Sequence, residues 1–462
     1  MLYGCQFGRW ADRRNHPCTR RAVNSNQPFS FDAFTNIPST NRIDNYGGSA
    51  QIDIGVSDTL AFTSISAYRG IRSFDNQDSD FTSADLIGRN STSLKIDTFT
   101  QELRLTSDFD GPLNFLLGGF YFDEKIDQAN QLNFGTQFRA YGNALIGQAS
   151  GGALNVGLLE NTFGALEGAP ARYVNTFFRA GDGLNERYNL SNRSISLFGT
   201  VDFEITDGLT LTGGLNYTDD RKRFTINTAS TDVFSSLNLD APQFAPFRNQ
   251  LLFQGALAQT VGGLLNLGRS ASAAEIGAFA AGNPAAFGQV QAGSQAFATA
   301  NQNNPAANPL AGLRAFQFLP PFLNIPNGVE PGRTNDSNLS YTARLAYKAS
   351  RNLNFYATYA TGFKASSINL SRDSRPTPGD LVRIRTGGFA TTNLTSGSRS
   401  AAPEEAEVYE VGVKGNWQGF GFNLALFKQS LKGFQSNVFQ GTGFVLGNAE
   451  KQSTNGFEFD AT

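Results

Sequence analysis

The feature that most limits what this chain can become is an alternation of apolar and polar residues with period two, which recurs along nearly its whole length. In a β-strand successive side chains point to opposite faces, so such a run makes one apolar and one polar surface. From Ser194 to Ile205 the odd positions read Ile195, Leu197, Gly199, Val201, Phe203 and Ile205. The even positions there are Ser194, Ser196, Phe198, Thr200, Asp202 and Glu204. Leu209 to Thr218 repeats the pattern, with Leu209, Leu211, Leu215 and Tyr217 opposite Thr210, Thr212, Asn216 and Thr218. Between the two runs lies Thr206-Asp207-Gly208, a tight-turn signal, so together they read as a hairpin.

Four further hairpins follow the same rule: Ala50–Val56 with Leu60–Tyr68, Phe99–Ser107 with Leu113–Tyr121, Leu339–Lys348 with Leu353–Phe363, and Tyr409–Trp417 with Phe420–Leu426. A last strand runs from about Gly456 to Thr462. The connections between hairpins are long and alternate with the tight turns, spanning about Ser73–Ser93, Gln128–Glu186, Asn227–Asn335, Ser366–Pro403 and Gln435–Gln452. Loops longer than about 12–15 residues are uncommon in compact domains, whereas an up-and-down membrane barrel has short turns on one side and long loops on the other. Within the longest connection, SASAAEIGAFAAG reads as a short helix, interrupted by Gly277, Gly282 and Pro284.

The polar face carries Glu102, Arg104, Asp202, Glu204, Arg344, Glu410 and Lys414 in mid-strand, which suits a wet lumen where opposite charges pair across neighbouring strands. Tyr68, Tyr121, Tyr217, Tyr347, Tyr359, Tyr409 and Trp417 sit toward strand ends on the apolar face, as membrane-interface aromatics do. Composition agrees: 41 Phe and 49 Gly, but 16% charged residues and a net charge of −2. That balance gives no footprint for nucleic acid. The expected fold is therefore all-β, a membrane-spanning antiparallel up-and-down β-barrel with long extracellular loops and no apolar run long enough for a transmembrane helix.

Several segments, in order, resemble the barrel domain of TonB-dependent outer-membrane receptors: FTQELRLTS (Phe99–Ser107), LGGFYFDE (Leu117–Glu124), LNFYATYATGFKA (Leu353–Ala365), EEAEVYEVGVKG (Glu404–Gly415), FNLALFKQSLKGFQ (Phe422–Gln435) and NGFEFD (Asn455–Asp460). The likeness covers roughly Asn41 to Thr462. It implies a barrel of about 22 strands, of which this chain supplies about half, filled by an N-terminal plug and coupled to the TonB complex. The expected division is 1–40 as an irregular leader and 41–462 as a partial barrel. No plug-like region or signal peptide is read before Asn41, so the chain reads as a fragment whose TonB contact lies in a missing N-terminal region. The resemblance implies import of a scarce nutrient, a small-molecule ligand such as a ferric siderophore, and contact with outer-membrane lipid and lipopolysaccharide. A passive porin or a surface adhesin barrel is the alternative.

Residue chemistry points away from catalysis. One His, one Met and two Cys leave little for metal or thiol sites. Neither a phosphate-binding P-loop nor a nucleophile-elbow motif occurs. Cys5, His16 and Cys18 stand in an Arg-rich start, and Asp75, Asp78, Asp80 and Asp85 cluster in the first long loop without the order of a calcium loop. No enzyme activity, cofactor or metal is expected. Arg outnumbers Lys, and its planar fork suits carboxylates and phosphates, whether in lumenal ion pairs or in anionic ligands and lipopolysaccharide.

Overall fold

The computed structural model describes residues 29, 34–319, 321, 332–370, 400–439 and 444–462. Cys5, His16 and Cys18 lie outside the described residues. Eleven strands form one continuous antiparallel sheet: β1 (Thr40–Ser57), β2 (Leu60–Asn76), β3 (Ile87–Ser107), β4 (Leu113–Phe134), β5 (Gly183–Thr206), β6 (Leu209–Ser230), β7 (Arg333–Ser350), β8 (Leu353–Lys364), β11 (Glu404–Trp417), β12 (Phe420–Phe439) and β13 (Phe444–Ala461). Each of them pairs with its neighbour in sequence. The short segments β9 (Ser367–Ile368) and β10 (Ser400–Ala401) make a separate two-residue ladder. β1 and β13 are the open edges, so the sheet is unclosed.

The strands are longer than the alternation alone indicated, running to 24 residues in β5. β2 and β3, read as ending near Ser73 and resuming near Ser93, stay paired out to Asn76 and Ser91. The loops between them shrink accordingly. Apart from Phe74 these extensions are polar, too short an apolar signal to set a period; the backbone ladder continues the strand.

Register fixes the faces. Leu197 stands opposite Tyr217, and Tyr217 opposite Leu339; Val411 stands opposite both Ala357 and Leu426. The apolar residues of neighbouring strands therefore share one surface. None of the described residues covers it: Leu197 is 63% exposed, Leu215 59% and Ile195 53%. Tyr rings edge this surface toward the long loops, with Tyr341, Tyr359 and Tyr409 in sequence at centroid distances of 5.8 and 4.8 Å. At the short-turn end Trp417 stacks on Phe422 at 6.0 Å. From Leu209 to Tyr217 is eight residues, about 27 Å of strand, or about 20 Å of membrane depth at a tilt of about 40°.

The buried core lies in the long connections, where helices occupy much of the space read as loop. α1 (Phe138–Ala149) and α2 (Val156–Leu166) follow β4; α3 (Ala245–Leu264), α4 (Ala273–Gly282) and α5 (Pro284–Asn301) lie between β6 and β7. The expected helix is α4, capped by Ser272 and Glu275 in a reciprocal box; Pro284 opens α5 at its first turn, where a missing N–H costs nothing. Phe163, Phe177, Phe178, Phe234 and Phe244, all fully buried, join the two connections into one aromatic cluster. Arg139 binds Glu160 through both guanidinium nitrogens (2.7 and 2.8 Å), and the amides of Asn175 and Phe177 donate to the same carboxylate.

Removing a buried Phe costs about 3–5 kcal/mol. Phe177→Ala is expected to raise hydrogen exchange across α1, α2 and residues 234–247 while leaving β5 and β6 protected; unchanged exchange in the helices would show that the cluster does not hold the two connections together.

Candidate functional site

On the polar face the side chains form two groupings. The lower one centres on Tyr356 of β8. Its ring lies under the Arg344 guanidinium (5.1 Å) and the Lys414 ammonium (5.5 Å), and its hydroxyl donates to Glu410 at 2.7 Å. Arg344 on β7 and Glu410 on β11 both face Thr358, which separates them across β8. Gly412 is required here: it stands opposite Tyr356, and a Cβ would collide with the ring. Gly118 makes the same allowance for Phe198. The Nε of Arg344 is buried with no partner among the described residues. Cation–π geometry of this kind pins two like charges near each other without a carboxylate for each.

The other charges nominated from sequence lie elsewhere on that face. Glu102 and Arg104 pair with each other along β3 rather than across strands, because their opposite numbers on β4 are Phe120 and Gly118. Asp202 accepts from Thr212, and Glu204 accepts from the Gly208 amide of the β5–β6 turn. Tyr68, Tyr121, Tyr217, Tyr347, Tyr359, Tyr409 and Trp417 all fall on the apolar face by register.

The upper grouping lies at the long-loop end. A cavity of ≈ 430 Å³ is lined by Gln128, Lys364, Ser367, Asn369, Gln435 and Asn437. β4, β8 and β12 contribute to it, together with the β9 segment. Gln435 organises its wall, accepting from Ser367 at 2.5 Å and donating to the Ala365 and Ala402 carbonyls. Lys364, opposite Glu404 in the β8–β11 register, makes no ion pair within 4 Å among the described residues and brings an ammonium to the rim. Amides, hydroxyls and one ammonium make a site for a polar ligand bearing anionic oxygens.

The first-loop carboxylates serve the backbone. Asp78 accepts from the Asn36 amide (2.7 Å), Asp80 from Thr82 and Ile87, and Asp85 from Thr136. Asp75 lies on β2 opposite Thr92. Among the described residues no group of three or more His, Cys, Asp or Glu is placed to hold a metal.

The family model described as TonB dependent receptor-like, beta-barrel, matches residues 6–462. The chain belongs to this TonB-dependent receptor family. The TonB-dependent barrel is an outer-membrane structure, so the apolar face meets lipid, the polar face lines the lumen, and the long connections lie outside the cell. No described helix is long and apolar enough to cross a membrane; crossing is by strands. Among solved structures the chain is similar to the ferric yersiniabactin uptake receptor FyuA from Yersinia pestis, at 12% identity and TM-score 0.49 over 91% of this chain and 40% of that one. It is also similar to the siderophore receptor PiuA from Acinetobacter baumannii (13%, 0.44, 91% and 44%) and the copper transporter OprC (10%, 0.44, 92% and 45%). The chain thus spans less than half the length of these receptors. No curated relative matches it in sequence.

Two predictions arise from these groups. Gly412→Val is expected to displace Tyr356 and lower the urea midpoint of the barrel by an amount equivalent to about 1–3 kcal/mol, as overpacking does. Gly213→Ala, where a Cβ meets nothing within 4 Å, is expected to leave the midpoint unchanged; equal effects would rule out the ring–glycine fit.

The second concerns Asp232, buried where β6 enters its loop. Burial pushes its carboxyl up to about 6; hydrogen bonds from Ser235 and the Phe234 amide oppose that, and nearby Asp182 reinforces it. A raised carboxyl contributes stability that is complete below the unfolded value of 3.8 and lost as pH rises through about 6. At Glu160 burial acts upward, but the Arg139 guanidinium and the two amides outweigh it and hold the carboxyl below its usual value of 4.5; its contribution is lost at low pH instead. Hydrogen exchange at residues 232–237, corrected for intrinsic rate, is expected to be faster at pH 8 than at pH 5, and Asp232→Asn is expected to abolish the difference.

Proposed function

We propose that this chain is the loop-bearing wall of an energy-coupled importer that captures a scarce nutrient, a ferric siderophore by preference, at the upper lumen. The observation that carries the reading is the polar cavity of ≈ 430 Å³ at the long-loop end, with the Lys364 ammonium at its rim. Iron chelators present carboxylate, catecholate or hydroxamate oxygens, which amide and ammonium donors recognise without covalent chemistry. The helices α1–α5 of the long connections, on the same side of the barrel, supply a surface that can hold a bulky, partly apolar chelate.

Passage would be gated from the periplasm. The partners in this reading are a plug segment in the lumen and the TonB complex that pulls on it. The Arg344–Tyr356–Lys414–Glu410 group is a fixed patch of mixed charge against which a plug can dock and be released, since hydrogen-bonded charges there are exchangeable for water. A passive pore and an adhesin have no use for such a releasable contact. The segment 1–40 remains, in this reading, a leader ahead of the barrel strands.

The test uses the complete receptor gene that encodes this chain. Lys364→Glu is expected to weaken binding of ferric siderophores at least about tenfold at low salt, the scale of one lost charge-assisted contact. Uptake is expected to vanish in cells lacking TonB. Uptake that persists without TonB would establish a passive pore, and unchanged affinity in the Lys364 variant would place capture elsewhere.

A further inference from the structure

At membrane level the sheet is apolar outside and polar inside; above the tyrosine row its two faces exchange character. The outward positions there carry Lys95 and Asp97 on β3, Arg187 and Arg193 on β5, and Arg221 and Arg223 on β6. The inward positions of the same stretch are Ile71 on β2, Ile96 on β3, Ile126 on β4, Leu190 on β5 and Phe224 on β6, each directly opposite the next. One row further from the membrane, Leu94, Gln128, Tyr188 and Ile226 stand in line in the same way. Neither row contains a charged side chain.

This apolar band inside the barrel has sharp limits. The inward row beneath it holds Arg69, Glu124 and Lys222, and the row above it holds Asp75 and Glu186. Phe224 and Tyr188 are buried, and the Ile and Leu side chains are half-buried. From β2 to β6 is four strand spacings, about 19 Å at ~4.8 Å each. Leu190 lies seven residues beyond Leu197, about 18 Å further from the membrane centre at ~3.4 Å per residue and a tilt of about 40°. The band therefore lines the extracellular mouth of the lumen. The helical cap does not use it, for the aromatic cluster of the long connections draws on Phe134 and Phe138 and on none of these side chains.

An apolar wall inside a water-filled mouth is unfavourable unless something apolar lies against it. Continuity with the polar cavity says what that is. Gln128, in the upper row of the band, also lines the ≈ 430 Å³ cavity, where Lys364, Ser367 and Gln435 stand with the apolar Ile368 and Leu446. An anionic head held among those amides and that ammonium has the band beginning beside it. A wholly polar solute leaves the band wet, whereas one with an apolar tail covers it while its head keeps its hydrogen bonds. The mixed-charge patch around Tyr356, offered above as the plug contact, lies at the other end of the lumen.

We infer that the imported ligand is amphipathic: an iron chelate whose anionic oxygens occupy the cavity at Lys364 and Gln435, and whose alkyl or aryl tail lies on the band formed by Ile96, Ile126, Leu190 and Phe224. This inference rests on the importer reading and adds the class of substrate to it.

The test uses the complete receptor in nanodiscs, titrated with ferric citrate and with the ferric complex of citrate bearing one octylamide, empty nanodiscs giving the partition into lipid. Wild-type protein is expected to bind the octyl chelate at least tenfold more tightly, since each methylene covered on one side contributes about twofold. The variant Ile96→Ser, Ile126→Ser is expected to bind the two chelates equally, and Ile96→Leu, Ile126→Leu to keep most of the preference. Lys364→Glu is expected to weaken both chelates by the same factor. Heat-modifiable migration on gels verifies that each barrel is folded; should the Ser variant fail to assemble, the wild-type comparison decides alone. Equal binding of both chelates by wild type would overturn the amphipathic ligand and leave the importer reading standing. A preference that survives in the Ser variant would overturn the band as its site. Binding of neither chelate would overturn the inference as well, and the TonB dependence of uptake then decides the importer reading separately.

Discussion

An apolar surface eleven strands wide, with no layer of the described residues upon it, is the constraint on which the rest of this structure depends. In water such a surface would drive association, at roughly 25 cal/mol for each Å² left uncovered. In lipid it is the favoured state, provided every backbone polar group is paired within the protein. Apart from the open edges β1 and β13, the antiparallel ladder meets that condition through the membrane-level part of the sheet; above it β7 pairs with β8 only from Thr342 on, and the Tyr341 amide donates to the Thr361 hydroxyl instead. Closing the sheet with further strands is the solution the family uses.

Because the sheet looks outward, the protein's interior packing is displaced to the extracellular side. Phenylalanine serves in both places: as Phe203 or Phe457 facing lipid, and as Phe163, Phe177 and Phe234 in the core that joins the β4–β5 and β6–β7 connections. Ionisable groups then divide by address. Glu160 and Arg139 fix the helical cap, Glu410, Arg344 and Lys414 group around a lumenal tyrosine, and the Arg of β5–β7 lie on the outward face above the tyrosine row. One residue type thus does three jobs, distinguished by which face of which strand carries it.

The faces were legible in the sequence because alternation between Ile, Leu and Phe on one side and Ser, Thr and Asn on the other is unambiguous in the membrane-level part of each strand. The strand ends were not. In Lys95-Ile96-Asp97-Thr98 the outward positions turn polar, so the period fades although the ladder persists. The helices around Phe138, Val156 and Ala245 were missed because their apolar residues are bought into register by a core assembled from two distant connections, and no local period announces it. Tyr356 went unnoticed for a different reason: it stands among polar-face residues as an aromatic, and the signal that explains it, Gly412 on the partner strand, becomes meaningful once register is known.

The most direct measurement is nitroxide scanning of β5 and β6 in the complete receptor in lipid, with one label at a time from Ser194 to Ile205 and from Leu209 to Thr218, reading accessibility to oxygen against a polar nickel chelate. Labels at 195, 197, 201, 211, 215 and 217 are expected to prefer oxygen and those at 196, 200, 212 and 216 the chelate, alternating without a break. An even response along either strand, or alternation of opposite phase, would contradict a sheet whose apolar face meets lipid.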